Sequence, residues 1–430
     1  VKTLPAILTA ASLSLSAGMP ALAQGQRLTL KDAVRDAVAT SGSVQAAEAK
    51  IQGAQARIDE AGTRTKPTVS VSVLPIHLGI LDPGIQGLLN AFAPGMSPNL
   101  LAENLTVSQV LYEGGRVQLG ARAAEIGKEL ASEGARQSRQ QVAYNAAIAY
   151  LGVLRAESLL RAVLLSEQQG HEHLKDALLR EKTGAGAHFD TLQAQTALAN
   201  TEQRVIQARN AVRLARLSLG TAIHQPLGNQ PLDPAPSLPI VTADDAAIMR
   251  GLSRRPEVRM ATRQRDLDRL TTEITSRESL PVVAAQGIVA GNGTQMPAYI
   301  LMGSLSWTVF DGGKTDAQVR QGEKSIEADE ANLSALQDGL RLEVQKAIAD
   351  REEARERILA AEQGLKTAQA GFDLSRIRYS EGAGTGTEVL DATTALSQAQ
   401  AGYIQATYDE LTAELNLAKA LGIDLPGLLS

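Results

Sequence analysis

The chain has 430 residues, a formal net charge of −5, 3% aromatic residues and no cysteine. That balance gives no basic footprint for nucleic acid, and the lack of thiols excludes disulfides, thiolate metal sites and a lipid-anchored amino-terminal cysteine. The apolar fraction, 44% and drawn largely from Ala, Leu and Val, supplies little side-chain volume for a thick interior and suits closely spaced helices.

Lys2 precedes an apolar run from Leu4 to Leu15, and Ala21-Leu22-Ala23 presents small residues at the positions a signal peptidase reads. Residues 1–23 are therefore expected to be a secretory signal. From Leu28-Thr29-Leu30-Lys31-Asp32-Ala33-Val34 a helical pattern runs to about Gly62, and Pro67 ends it. Val69, Val71 and Val73 then alternate with Thr68, Ser70 and Ser72, as a strand wet on one side requires. A loop rich in Gly and Pro spans Gly79 to Pro98. A returning strand carrying Leu105, Val107 and Leu111 stops at Gly114-Gly115, so strands are expected within about 67–112.

Past that glycine pair, helical periodicity persists from about Arg116 to Lys182 without a proline, which makes a rod of roughly 100 Å. A tip follows at 183–190, around Gly184, and another helix runs to about Leu219. A connector with Pro226, Pro231, Pro234, Pro236 and Pro239 leads to a second half in the same order. That half reads as a helix from about Asp244 to Glu278, a strand to about Ala290, and a strand from about Ala298 to Phe310. Gly312-Gly313, a long helix, a tip at 379–391 around Gly382 and a last helix to about Gly422 complete it. Gly115 and Gly313, and likewise Gly184 and Gly382, are each 198 positions apart, as two landmarks of one tandem duplication would be. The expected division is residues 24–232 for the first repeat and 233–430 for the second.

Helix lengths and seams extend the reading. In each half the two shorter helices together match the long one, so stacked end to end they line up beside it. In the second long helix Leu333, Leu336, Leu340, Val344, Ala347, Ala354, Ile358, Ala361, Leu365, Ala368 and Phe372 keep three-four spacing, a coiled-coil seam interrupted at Arg351. Tyr299, Leu301, Leu305, Trp307 and Val309 form an apolar strand face backed by Ser304, Ser306 and Thr308, the pattern of a membrane barrel strand. An ordinary half-buried sheet would show the same alternation; if instead these strands span a membrane, four cannot close a barrel and several copies have to pool them.

With these features in place, the sequence resembles the TolC family of outer-membrane efflux and secretion channels. The residues that carry the likeness are the opening Leu28 to Val34, the strand-to-helix signatures Leu111-Tyr112-Glu113-Gly114-Gly115 and Val309-Phe310-Asp311-Gly312-Gly313, and the tip Tyr379-Ser380-Glu381-Gly382 followed by Glu388-Val389-Leu390-Asp391-Ala392-Thr393-Thr394. The resemblance implies a mainly α fold with membrane β. Three copies would build a twelve-stranded transmembrane β-barrel in the outer membrane and a hollow coiled-coil α-barrel in the periplasm. It also implies a homotrimer working with an inner-membrane pump and a periplasmic adaptor, in multidrug efflux or type I secretion, with the hairpin tips closing the periplasmic mouth.

Carried over residue by residue, Asp391 matches the acidic position lining the periplasmic constriction, Glu388 a position acidic in some members, and Asp190 is the counterpart of Glu388 in the first hairpin. In that picture Gly114, Gly115, Gly312 and Gly313 are the strand-to-helix hinges and Gly184 and Gly382 the tip turns. The plainer reading of the three acids is a favourable charge at a helix start, worth about 0.3–1 kcal/mol each. Gly384 departs from members with a basic residue there, leaving Arg180, Lys182, Arg376 and Arg378 as candidates for closing salt bridges. No catalytic, cofactor or metal site is expected: His171 and His173 are two apart and point to different sides of a helix, and no P-loop or nucleophile elbow is present. The competing reading is a periplasmic coiled-coil adaptor, which would carry one hairpin between small β-domains.

Overall fold

The computed structural model describes residues 27–77, 99–234, 245–291 and 298–429. The signal reading of residues 1–23, the loop 79–98 and the connector prolines Pro236 and Pro239 lie outside them. The elements in chain order are α1 (Leu30–Thr40), α2 (Gly42–Thr63), β1 (Thr68–His77), β2 (Asn99–Glu113), α3 (Arg116–Lys182), α4 (His188–Ala222), α5 (Asp245–Arg254), α6 (Pro256–Ser276), β3 (Val282–Gly291), β4 (Ala298–Ser306), α7 (Lys314–Ser380), α8 (Gly386–Ala420) and the short α9 (Leu425–Leu429).

The duplication is written into these lengths. Both α3 and α7 have 67 residues, and both α4 and α8 have 35. At 1.5 Å per residue each long helix is a rod of about 100 Å. Beside α3, the outer part is lined by α2, through Lys128 Nζ to Gln55 Oε1 at 2.7 Å and Arg139 to Glu48 at 2.6 Å, and the inner part by α4. The end of α4 meets the α1–α2 junction, where Thr40 Oγ1 donates to the Ile223 carbonyl at 3.0 Å. In the second half α8 meets the α5–α6 junction in the same way, with Arg255 Nη1 donating to the Ala420 carbonyl at 3.2 Å. Arg255 is buried and balanced by Glu257 at 3.2 Å and Glu343 at 3.1 Å.

Two expected helices are each broken once. Residues 28–62 form α1 and α2 because Ser41 is extended, its N–H closing on the Ala37 carbonyl. The stretch ending near Glu278 divides at Arg255, which Pro256 forces out of helical geometry while itself taking the first helical position of α6.

The main core sits at mid-length, where the ends of α1, α4, α5 and α8 converge on the middles of α3 and α7. Ala33, Ala37, Ala143, Ala146 and Ala147 are fully buried there, and their small side chains let helix backbones approach closely. Among the described residues Tyr150 is the largest wholly buried side chain. Its hydroxyl reaches the carbonyls of Leu28 and Asp233, both at 2.9 Å, so it ties the chain's entry to the inter-repeat connector. The seam on α7 packs as its spacing requires, with Leu340, Val344, Ala347, Ala354 and Phe372 buried. Arg351, the interruption, faces Glu414 of α8 at 3.9 Å.

At one end the strands form a single antiparallel sheet in the order β1-β2-β3-β4. The two strand pairs are therefore joined, β2 to β3, and β1 and β4 are its edges. The register puts Val71, Leu105, Val289 and Tyr299 in one row and Val69, Val107, Gly287 and Leu301 in the next, so these residues of all four strands share one apolar face. Ser70, Thr106, Ile288 and Ile300 form a row of the other face, with Ser108, Gln286, Met302 and Ser304 beside it, so that face is mixed, polar on β1 and β2 and partly apolar on β3 and β4. The last strand ends at Ser306 rather than Phe310. The ladder stops where Ser306 pairs with Val282, the first residue of β3, so Trp307 and Val309 lie outside the strand, and Trp307 Nε1 donates to the Ser279 carbonyl at 3.0 Å.

Candidate functional site

Both ends of each long helix are set by left-handed glycines. At the sheet end, Gly114, Gly115, Gly312 and Gly313 have φ of 60°, 78°, 71° and 85°, a region open to glycine and strained for other residues. A Cβ on Gly114 would lie 2.9 Å from Leu280 Cβ, and one on Gly115 would collide with Arg277 Nη1, whose guanidinium donates to the Gly114 carbonyl at 3.1 Å. Around the second hinge Asp311 does the capping: its carboxylate accepts from the N–H of Gly313 at 2.9 Å and of Thr315 at 2.8 Å. The Thr315 hydroxyl and amide, with the Gly313 N–H, hold that carboxyl below its usual value.

The far end carries the two tips. Gly184 and Gly382, at φ 74° and 76°, reverse the chain, and the carbonyls of Arg180 and Arg378 each accept two N–H groups from the turn. The next helices start differently. Thr385 caps α8 by accepting from the Glu388 N–H at 3.2 Å, whereas Ala187 opens α4 with no side-chain cap. Asp190 and Glu388 are each the third residue of their helix, as the duplication requires.

The tips of one chain are held against each other. Arg180 donates to the carbonyls of Tyr379 and Ser380, the latter at 2.9 Å, and its guanidinium lies 4.3 Å from the centre of the Tyr379 ring. His173 meets the Tyr379 ring at a tilt of 55°, with 5.4 Å between ring centres, and its burial lowers its proton affinity against the pull of Asp176 and Asp190. Asp190 lies beside Gly386, where an added Cβ would meet its carboxylate at 3.6 Å, and Thr387 Oγ1 reaches Gln193 Oε1 at 3.3 Å. Of the three acids named from sequence, Asp190 is thus half-buried at the junction. Glu388 is exposed and pairs within its own hairpin with Arg378 at 3.8 Å. Asp391 is exposed, with no hydrogen-bond or ion-pair partner among the described residues. Of the four basic residues considered for salt bridges at the tips, Arg180 is the one that crosses between the two hairpins, and its partners are backbone carbonyls and not an acid. Its position four residues before Gly184 gave it only as one of four candidates, since its target is 199 residues away.

No helix among the described residues is long and apolar enough to cross a membrane. The lipid-compatible surface is the sheet, whose Val71, Leu301 and Leu305 are 70–79% exposed in the single chain. A four-stranded sheet with an apolar face, set through glycine hinges on paired helical hairpins, defines the protomer of a channel-tunnel that spans an outer membrane and reaches into the periplasm. The profile of the outer membrane efflux protein family matches residues 33–223 and 248–423, and the chain belongs to that family. It is 26% identical over 333 residues to the outer membrane efflux protein BepC of Brucella suis, covering 74% of this chain and 71% of that protein. To the pyoverdine export outer membrane protein OpmQ of Pseudomonas aeruginosa it is 25% identical over 411 residues, covering 91% and 85%. Its fold matches the open state of the Neisseria gonorrhoeae MtrE outer membrane channel with a TM-score of 0.78 at 17% identity, over 92% of this chain and 89% of that one. The adaptor reading is thereby displaced: the chain has two hairpins and one shared sheet in place of one hairpin between β-domains.

Proposed function

We propose that three copies of this chain assemble into a conduit that carries substrates from an inner-membrane pump and its periplasmic adaptor out of the cell. The chain is an outer-membrane export protein and not an enzyme, and its work is to enclose a path. The observation that carries the reading is the sheet. Its apolar face suits lipid, yet β1 and β4 are open edges, and unpaired backbone groups are excluded from a bilayer core. Pooling three sheets edge to edge gives twelve strands and no free edge. The opposite face, with Ser70, Thr106, Ser108, Gln286 and Ser304 alongside Ile288, Ile300 and Met302, then lines the lumen.

In this assembly residues 1–23 are the export signal, 24–232 and 233–430 the two repeats, and the helices continue the tube through the periplasm. Gly114, Gly115, Gly312 and Gly313 turn strand into helix, and Gly184 and Gly382 turn each hairpin at the closing end. Threefold symmetry makes rings of Asp391, Glu388 and Asp190 there, which lower the barrier for cations and attract divalent ones. The pump chooses the cargo, whether in small-molecule efflux or in type I secretion.

Planar-bilayer recordings test the assignment. The parent protein should show low, cation-selective conductance blocked by divalent cations, and Asp391→Ala should weaken both selectivity and block, with smaller effects for Glu388→Ala and Asp190→Ala. A channel whose selectivity and block are unchanged in all three would remove these residues from the constriction.

A further inference from the structure

The turn from α2 into β1, residues 64–67, carries two cations that the fold leaves uncommitted. Arg64 ends α2, its N–H closing on the Ala61 carbonyl at 3.4 Å, and the Lys66 N–H closes on the Thr63 carbonyl at 2.8 Å. Gln109 Nε2 donates to the Thr65 carbonyl at 3.1 Å, so the turn is pinned to β2. Both side chains are exposed, and neither has an ion-pair or hydrogen-bond partner among the described residues. A cation at a helix carboxyl end answers the helix dipole, which accounts for Arg64 and leaves Lys66, two residues further on, unexplained. The matching connection of the second repeat is built differently. There the Arg277 guanidinium is committed to the Gly114 carbonyl at 3.1 Å and to Glu273 at 2.6 Å.

The sheet register says which way this turn faces. Arg64 and Lys66 border a cavity of about 420 Å³ together with Thr68, Ser108, Glu113 and Ala284. Thr68 pairs with Ser108, Ala284 lies one row nearer the hinges, and all three belong to the face turned away from lipid. Glu113 joins that face because the bulge between Val110 and Tyr112 shifts the register, setting Tyr112 opposite Val283 and Glu113 opposite Val282. Its charge is already balanced by Arg116 at 3.0 Å. The cavity is therefore left with two unbalanced positive charges. Basic residues beside a membrane also reach lipid phosphates, but those lie over the apolar face and this cavity opens on the other.

We propose that Arg64 and Lys66 form a cationic ring inside the tunnel, where the helical barrel opens into the strand barrel, and that the ring binds anionic groups of the material in passage. The inference rests on the three-copy assembly proposed above and adds a binding site to it. Two cations from each of three copies make six around one axis, at the opposite end of the helices from the acidic rings of the tips. Guanidinium and ammonium groups suit carboxylate, phosphate and sulfonate alike, so the site selects by charge and not by shape. The neighbouring Ser70, Thr106, Ser108 and Gln286 are uncharged and leave its field unopposed.

The chain has no cysteine, so an introduced thiol can read this field. In the native trimer, Ser108→Cys should react faster with a negatively charged methanethiosulfonate than with a positively charged one. Arg64→Ala with Lys66→Ala should move that rate ratio about tenfold toward the positive reagent at low salt, and less at high salt. Thr106→Cys, one row further from the turn, should show the same sign and a smaller change, and Arg64→Lys with Lys66→Arg should keep the parent ratio. Inorganic tripolyphosphate should protect the thiol in the parent background and not in the double-alanine one. A ratio that the double-alanine change leaves within twofold at both reporters would show that the cations project elsewhere and overturn the ring, with the conduit intact. A charge-biased ratio without protection by tripolyphosphate would overturn the binding site. A native trimer in which both thiols resist both reagents would overturn the lumen assignment of that face, and with it the assembly on which the ring depends.

Discussion

Removing Arg180 should loosen the closing end of the tunnel. Its guanidinium over the Tyr379 ring, at 4.3 Å on a half-buried surface, contributes about 0.5–1 kcal/mol. Its donation to the Tyr379 and Ser380 carbonyls is charge-assisted, a type worth about 1.5–3 kcal/mol when buried and here nearer 1 kcal/mol because the second bond is exposed. Together the tie between the two tips of a chain is worth roughly 1.5–2 kcal/mol, or about 10- to 30-fold in the ratio of joined to separated tips. In single-channel recordings Arg180→Ala should raise open-state occupancy by that order at unchanged full conductance. Arg180→Lys, which keeps the charge but loses the planar fork and its stacking, should fall between the two. An Ala variant whose occupancy stays within about twofold of the parent would refute the tie.

Three other outcomes follow from the geometry. Tyr150→Phe leaves the carbonyls of Leu28 and Asp233 without their shared donor in the core and should lower stability by about 1–2 kcal/mol, read as a lower thermal midpoint with conductance retained. Gly114→Ala strains a φ of 60° and presses on Leu280, so about 1–3 kcal/mol and a reduced yield of inserted protein are expected, against little effect for Gly120→Ala on the open face of α3. The Asp311 carboxyl is held below its ordinary 3.8 by Thr315 and Gly313, so its contribution is complete above that value and lost as pH falls through the lower, folded one. Protection of the Thr315 amide should therefore hold from neutrality to about pH 4 and then decline, and Asp311→Asn should abolish the decline.

Much of this architecture is local and repeated, which is why the sequence discloses it. The 67-residue helices, the glycine turns at Gly184 and Gly382 and the alternation of Val69, Val71 and Val73 each declare themselves within one turn or one strand, and the 198-residue echo checks them twice. The break at Ser41 is hidden because the apolar positions continue on either side of it. Trp307 keeps the strand's alternation but is claimed by the Ser279 carbonyl, a partner 28 residues back. At the tips the acids Asp190, Glu388 and Asp391 are legible by position, whereas the reach of Arg180 to Tyr379 depends on how two hairpins lie together.

The central claim is that this chain makes a trimeric outer-membrane tunnel, and the most direct measurement is native mass together with conductance on one preparation extracted from outer membranes. A particle of three chains that inserts into planar bilayers and gives discrete, uniform conductance steps is the predicted result. A well-folded particle that remains a monomer, or a trimer that never conducts even with Arg180 replaced by alanine, would contradict it.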